Sequence, residues 1–212
     1  MNRLLDAGLE RLTTILLRMG EVAEEAVELS IDGFLKGLDV SDRMRSLSET
    51  LVSMSVDAED KAFELISKYQ PVASDLRIIK SYIKIAHDLE RYGRYGWDIS
   101  FIHKRLAQSE RCEDPLAVIK RMSGKVMDMV HVSIEALRKH DAELAKTLAK
   151  TENEVDELYF EYLDFSAEAS ISPRCLVTNV LAVRYLERIA DHATYMGESI
   201  VYIATGEKVV LR

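Results

Sequence analysis

Apolar residues recur every three or four positions along nearly all of this chain, the period of an amphipathic α-helix. Leu5, Leu9, Leu12, Leu16 and Met19 open a first helix that runs past Phe34 and fades at Gly37. Ser41 or Asp42 can cap a second, through Leu47, Leu51, Ala58 and Leu65 to about Tyr69. Pro71 or Ser74 starts a third, striped by Leu76, Ile79, Ile83, Ala86, Leu89, Gly93 and Gly96. The small residues at its end allow a neighbouring helix to approach closely. The period then stops at the polar stretch 108–115, which closes on Pro115 and is read as a hinge. A fourth helix follows through Val118, Met122, Val126 and Ile134. Asp141 caps a fifth, through Leu144, Leu148, Val155 and Tyr162. A sixth runs from about Ser172 through Leu186, Ile189 and Ala193 to near Gly206. All six are expected to be of similar length, roughly 25–35 residues, on this helical periodicity.

The pattern repeats. Asp88-Leu89-Glu90-Arg91 returns as Tyr185-Leu186-Glu187-Arg188, 97 residues later (187 − 90), and Arg77 pairs with Arg174 at the same offset. Arg18-Met19-Gly20 pairs with Arg121-Met122-Ser123, and Ser30-Ile31 with Ser133-Ile134, at an offset of 103 (121 − 18). Asp39 pairs with Asp141 between helices. An internal repeat of this kind decides the architecture. The expectation is an all-α protein of two tandem three-helix bundles related by duplication, with residues 1–107 in the first and 114–212 in the second. The bundles lie end to end or side by side, and short connections favour antiparallel neighbours.

Composition agrees and narrows the function. Of 212 residues, 48% are hydrophobic and 30% charged, the balance of a helical protein with sizeable cores. The 9 glycines and 3 prolines are few, and each proline sits where a helix can begin. The net charge of −8 lacks the basic footprint of a nucleic-acid binder. Cys112 and Cys175 form no metal or redox spacing and are read as free thiols. No apolar run approaches the ~20 residues needed to cross a bilayer, and the N-terminal residues lead into an acid-containing helix rather than a signal peptide. The protein is expected in the cytoplasm.

The chemistry concentrates in acids. Residues four apart on a helix lie ~40° apart around its axis, so Glu187 and Asp191 share a face of the sixth helix, and Glu152 and Asp156 share one of the fifth. On antiparallel neighbours these four carboxylates are expected to converge on one strip. Like charges at that spacing repel; a cation that prefers oxygen ligands, or Arg174, Arg184 and Arg188, would compensate. The bland alternative is a solvated acidic face. The first half is an internal control: Glu59 and Glu90 survive, whereas Ser55 stands for Glu152 and Arg94 for Asp191. A first-half site is therefore expected to be weak or absent, with Arg94 paired to a carboxylate. Asp128 and His131 are read as a chance spacing, His192 as a surface or hydrogen-bonded histidine, and Trp97 with Tyr92 and Tyr95 as packing. The chain has no Gly-rich phosphate loop, no nucleophile elbow and no paired Glu-x-x-His, so it is not expected to be an enzyme.

Tyr185-Leu186-Glu187-Arg188-Ile189-Ala190-Asp191-His192-Ala193-Thr194 closely resembles the signature at the end of the second repeat of the PhoU family. Gln70-Pro71-Val72-Ala73-Ser74-Asp75-Leu76-Arg77, followed by Asp88-Leu89-Glu90-Arg91, resembles the same region of its first repeat. Met19-Gly20-Glu21 and the turns at Asp39 and Asp141 also fit, and the resemblance covers essentially the whole chain. It implies two three-helix bundles and a regulator that restrains phosphate uptake and phosphate-starvation signalling. The partners it implies are the ATPase subunit of the phosphate ABC transporter, a sensor histidine kinase, and a second copy in a homodimer; membrane association would come only through partners. Some members carry metal clusters on Glu/Asp-x-x-x-Asp motifs. By position the ligands would be Glu152, Asp156, Glu187 and Asp191, with Glu59 and Glu90 left in the first repeat, for iron, zinc, manganese or magnesium. Two other readings stand beside this one: a helical adaptor that takes no metal, and a carboxylate-bundle metalloprotein.

Overall fold

A computed structural model describes residues 3–107 and 116–211. Its helices are α1 (Arg3–Lys36), α2 (Ser41–Tyr69), α3 (Ser74–Ile102), α4 (Leu116–Lys139), α5 (Ala142–Lys146), α6 (Leu148–Glu168) and α7 (Pro173–Thr205), with a π-turn at His103–Ala107 closing α3. The described residues contain no strand and no helix long and apolar enough to cross a membrane. The hinge expected at 108–115 lies outside them.

Local chemistry sets the ends. Gly37 and Gly206 take positive φ at +69° and +80° and stop α1 and α7, a conformation glycine adopts without steric cost. Pro173 occupies the first turn of α7. Asp141 accepts from the backbone N–H groups of Glu143 and Leu144, both at 3.0 Å, and caps α5. At α2 the cap is different from the one expected. Ser41 is already helical, Val40 is the N-cap residue, and it is Asp39 that receives the Ser41 N–H and hydroxyl. Those bonds, the hydroxyl first, and Lys104 hold the Asp39 carboxyl down at about 2.

The helices are also less uniform than expected. α4 has 24 residues, and the fifth helix is split at Thr147 into α5 of 5 and α6 of 21. The Thr147 hydroxyl donates to Leu144 O at 2.6 Å, and the backbone bonds at the break run from Thr147 N to Leu144 O and from Lys150 N to Thr147 O. This is a local i to i−3 turn, where a threonine hydroxyl competes with the α-helical ladder. Cys175 departs from expectation too: it is disulfide-bonded and buried. Spacing along a chain carries no information about which sulfurs a fold brings together. Cys112 lies outside the described residues.

α1, α2 and α3 pack on one another as one bundle, and α4, α5–α6 and α7 as a second. The bundles lie side by side, joined by α3 against α7 and α1 against α4. One hydrophobic core contains residues of both. The duplication is visible as buried pairs at the offset of 97: Leu51 with Leu148, Ala58 with Val155, Leu65 with Tyr162 and Leu89 with Leu186. At the offset of 103, Ser30 and Ser133 are both fully buried, and each donates back to a carbonyl three residues earlier. The close approach expected at Gly93 and Gly96 is present. A Cβ on Gly93 would stand 2.3 Å from Leu51 Cδ1, and one on Gly96 2.9 Å from Met44 Cε.

The α3–α7 junction carries the symmetry furthest. His192 Nδ1 lies 2.8 Å from Asp88 Oδ1, and the rings of Tyr95 and Tyr185 stack at 5.9 Å. Adding 97 turns Asp88 into Tyr185 and Tyr95 into His192, so these are one contact seen from its two sides. Pairs such as Arg77 with Tyr202 and His87 with His192 show that the two helices run antiparallel.

Candidate functional site

In the second half, α7 presents Glu187 and Asp191 one turn apart beside α6, which carries Glu152 and Asp156. Glu152 and Asp191 are buried, and Asp156 and Glu187 are half-buried. Burial raises the Glu187 carboxyl above its ordinary value; the Asp191 carboxylate, and to a lesser degree Asp156, push the same way, while Arg184 and Arg188 oppose. Asp156 on α6 is thus close enough for its charge to be felt by Glu187 on α7.

The compensation is partial. Arg184 donates to Glu187 Oε1 at 2.6 Å, and Arg188 to Asp191 Oδ2 at 3.0 Å. Glu187 Oε2 is buried without a hydrogen-bond partner, with Arg188 Nε at 3.8 Å. A buried carboxylate oxygen left over after its arginines are engaged is costly, and oxygen donors of this kind suit a hard or borderline cation. The residues therefore fit a metal, and they stand as an open strip. Among the described residues, no three of Glu152, Asp156, Glu187 and Asp191 bring donor atoms within 4.8 Å of one another, so an ion held by several of them would draw their side chains inward.

The first half places Glu59 on α2 and Glu90 on α3 along one groove of about 590 Å³, with Ser55, Lys84 and Glu198 also lining it. Arg94 is paired with a carboxylate, as the substitution implies; the partner is Asp98, one turn on, at 3.3 Å. Its guanidinium also lies over the Trp97 ring at 4.7 Å. Tyr92 is fully buried and Trp97 and Tyr95 are partly so, which makes this aromatic group packing. His131 is exposed and faces Glu24 at 3.1 Å; Asp128 is exposed as well.

Sequence reasoning missed one cluster. His87, Asp88 and His192 bring a donor atom each within 4.8 Å of one another in that groove. Single-helix spacing cannot show it, because His192 belongs to the other repeat. No signal in the chain could have found it: the offset of 97 relates the Asp88–His192 contact to its mirror at Tyr185 and Tyr95, but leaves the register of α3 against α7 open.

Two copies of one three-helix pattern, joined at α3 and α7, invite comparison with known proteins. The PhoU domain model matches residues 16–102 and again 119–200. The chain belongs to the PhoU family. A protein of Clostridium acetobutylicum, described as a phosphate-specific transport system accessory protein PhoU homolog, is 32% identical over 215 residues, covering 99% of this chain and 98% of that one. A homolog of the same description from Pseudomonas aeruginosa is 29% identical, covering 96% and 86%. Among solved structures, PhoU from Pseudomonas aeruginosa superposes with a TM-score of 0.89 at 26% identity, over 95% of this chain and 99% of that one. The phosphate transport system regulatory protein PhoU from Streptococcus pneumoniae shares the fold with a TM-score of 0.85 at 21% identity, over 97% and 99%. The two PhoU matches begin and end inside the two helical bundles. The acid strip and the Asp88–His192 and Tyr95–Tyr185 contacts all lie within them.

Proposed function

We propose that this protein is a cytoplasmic accessory regulator of phosphate-specific transport, a negative modulator that acts by docking and not by catalysis. The observation that carries this reading is the full-length match to phosphate-specific transport accessory proteins across both repeats. Its partners are the ATPase subunit of a phosphate ABC transporter and, in signalling, a sensor histidine kinase; a homodimer is part of the same reading. The second-half strip of Glu152, Asp156, Glu187 and Asp191 holds an iron, zinc, manganese or magnesium ion that organises the α6–α7 face.

Two surface features support docking. Phe63 on α2 and Phe160 on α6 are 54% and 60% exposed, and they are equivalent at the offset of 97. Large exposed aromatics in matched positions of two repeats serve no core, and such residues anchor protein interfaces. Phe63→Ser with Phe160→Ser is expected to weaken capture of the transporter ATPase by about tenfold or more, with stability changed by no more than about 0.5 kcal/mol. Deletion of the gene is expected to raise phosphate uptake when phosphate is plentiful; unchanged uptake would overturn the regulatory reading. For the metal, protein purified without chelator is compared with Asp156→Asn/Asp191→Asn. Equal metal content in the two would leave the strip as a solvated face, the adaptor reading.

A further inference from the structure

The groove between the repeats carries a second kind of chemistry. His87 and Asp88 sit side by side on α3, and His192 reaches them from α7. Asp88 is buried, and the His192 ring is 12% exposed. Asp88 Oδ1 and His192 Nδ1 are 2.8 Å apart, and the two imidazole rings lie 6.2 Å apart at 51°. In a tetrahedral site with bonds of about 2.0–2.1 Å, donor atoms stand about 3.3–3.4 Å from one another. The observed separations, from 2.8 Å to within 4.8 Å, bracket that value, so closure on an ion needs side-chain rotation and no movement of helices.

We infer that His87, Asp88 and His192 form a site for a borderline divalent cation, with zinc the best fit, at the junction of the two PhoU repeats. Two imidazoles and one carboxylate are a donor set that zinc and related first-row ions take, and hard magnesium or calcium do not. Three protein ligands leave a fourth position open, and it faces the groove of about 590 Å³. Glu59, Glu90 and Glu198 line that groove with Lys84, so the field there favours a cation. Without metal, the short contact between Asp88 and His192 is a hydrogen bond, and the ion replaces its proton. The ion would tie α3 to α7 across the pseudo-twofold. It belongs to the first groove alone: at the offset of 97 the three ligand positions become Arg184, Tyr185 and Tyr95, which supply no comparable donors.

The site is independent of the acid strip, and one experiment separates them. The full chain is freed of metal and titrated with cobalt(II), followed by its visible absorption, and with zinc in competition against a chromophoric chelator. The wild type is expected to bind one cobalt at this junction, besides any ion taken by the acid strip, with the intense absorption of a four- or five-coordinate nitrogen–oxygen site. His87→Gln and His192→Gln are each expected to lose that band and to weaken zinc by about tenfold or more. Asp156→Asn/Asp191→Asn is expected to keep both. His87 is exposed, so its substitution leaves the fold intact and decides the matter even where His192→Gln is unstable. A cobalt spectrum and zinc affinity unchanged in His87→Gln, or a wild type that takes up no cobalt with such a band, would overturn the proposal.

Discussion

The α2–α3 and α6–α7 hairpins descend from one pattern and have diverged in two linked ways. The first is packing. Gly93 and Gly96 on α3 let Leu51 and Met44 of α2 press close; at the matching positions α7 has Ala190 and Ala193, both buried. The second is charge. The α6–α7 face keeps Glu152, Asp156, Glu187 and Asp191, whereas the α2–α3 face has Ser55 and Arg94 in two of these places and gains His87 and Asp88 beside His192. One scaffold thus presents an oxygen-rich strip on one side and a nitrogen-containing groove on the other. Duplication conserves the buried stripe, because each core residue touches many others, while a face that only meets solvent or a ligand is free to change its chemistry.

The packing difference gives the largest expected effect. Gly93→Val must displace the fully buried Leu51, and overpacking of this kind is expected to cost about 3 kcal/mol. Ala190→Gly, its mirror in the second repeat, is expected to cost about 1 kcal/mol through helix propensity. Chemical denaturation of the two variants measures the gap; equal costs would mean that the hairpins are packed alike. Next comes transplantation of the acids. Ser55→Glu/Arg94→Asp rebuilds the quartet on the first repeat and is expected to raise affinity for manganese there by tenfold or more, on the order of 1.4 kcal/mol. Titration calorimetry on the His87→Gln background isolates this gain, and no added uptake would show that four acids in register are not enough.

The smallest effect is in pH. The Glu187 carboxyl is raised mainly by burial, with Asp191 adding to it. The folded protein therefore holds a proton at pH values where the unfolded chain, with an ordinary glutamate near about 4.3, has lost it. Stability falls as the pH climbs through that window, and the penalty persists above it. Glu187→Gln carries no such penalty. In metal-free protein its melting temperature is expected to exceed that of the wild type at pH 7, and the difference is expected to close as the pH drops below about 4. A difference that persists in acid would assign it to packing instead.

Much of this was legible in the residues. Helix ends at Gly37, Pro173 and Gly206 follow from φ preferences that are properties of single residues. The duplication shows as matched phrases, and the period of 3.6 places Leu51, Leu89, Leu148 and Leu186 inside. Two local features escaped. The break at Thr147 depends on a hydroxyl choosing a backbone carbonyl that a good helix former beside it would leave to the ladder. The cap of α2 moved one turn-residue outward because Asp39 reaches the Ser41 N–H from outside the helix.

The candidate sites divide along the same line. Glu187 and Asp191 could be paired on paper, since their separation is set by one helix. Whether Arg184 and Arg188 would leave Glu187 Oε2 unmatched depended on rotamers, and the Arg184 guanidinium lies over the Tyr159 ring of α6 at 5.7 Å, a contact that helix spacing does not show. The meeting of Asp88 with His192 lay further out of reach. Contacts within a helix are dictated by rise and turn, and the chain spells them out. Contacts between repeats depend on which faces of α3 and α7 are buried against each other and at what register, a choice made by the whole core at once.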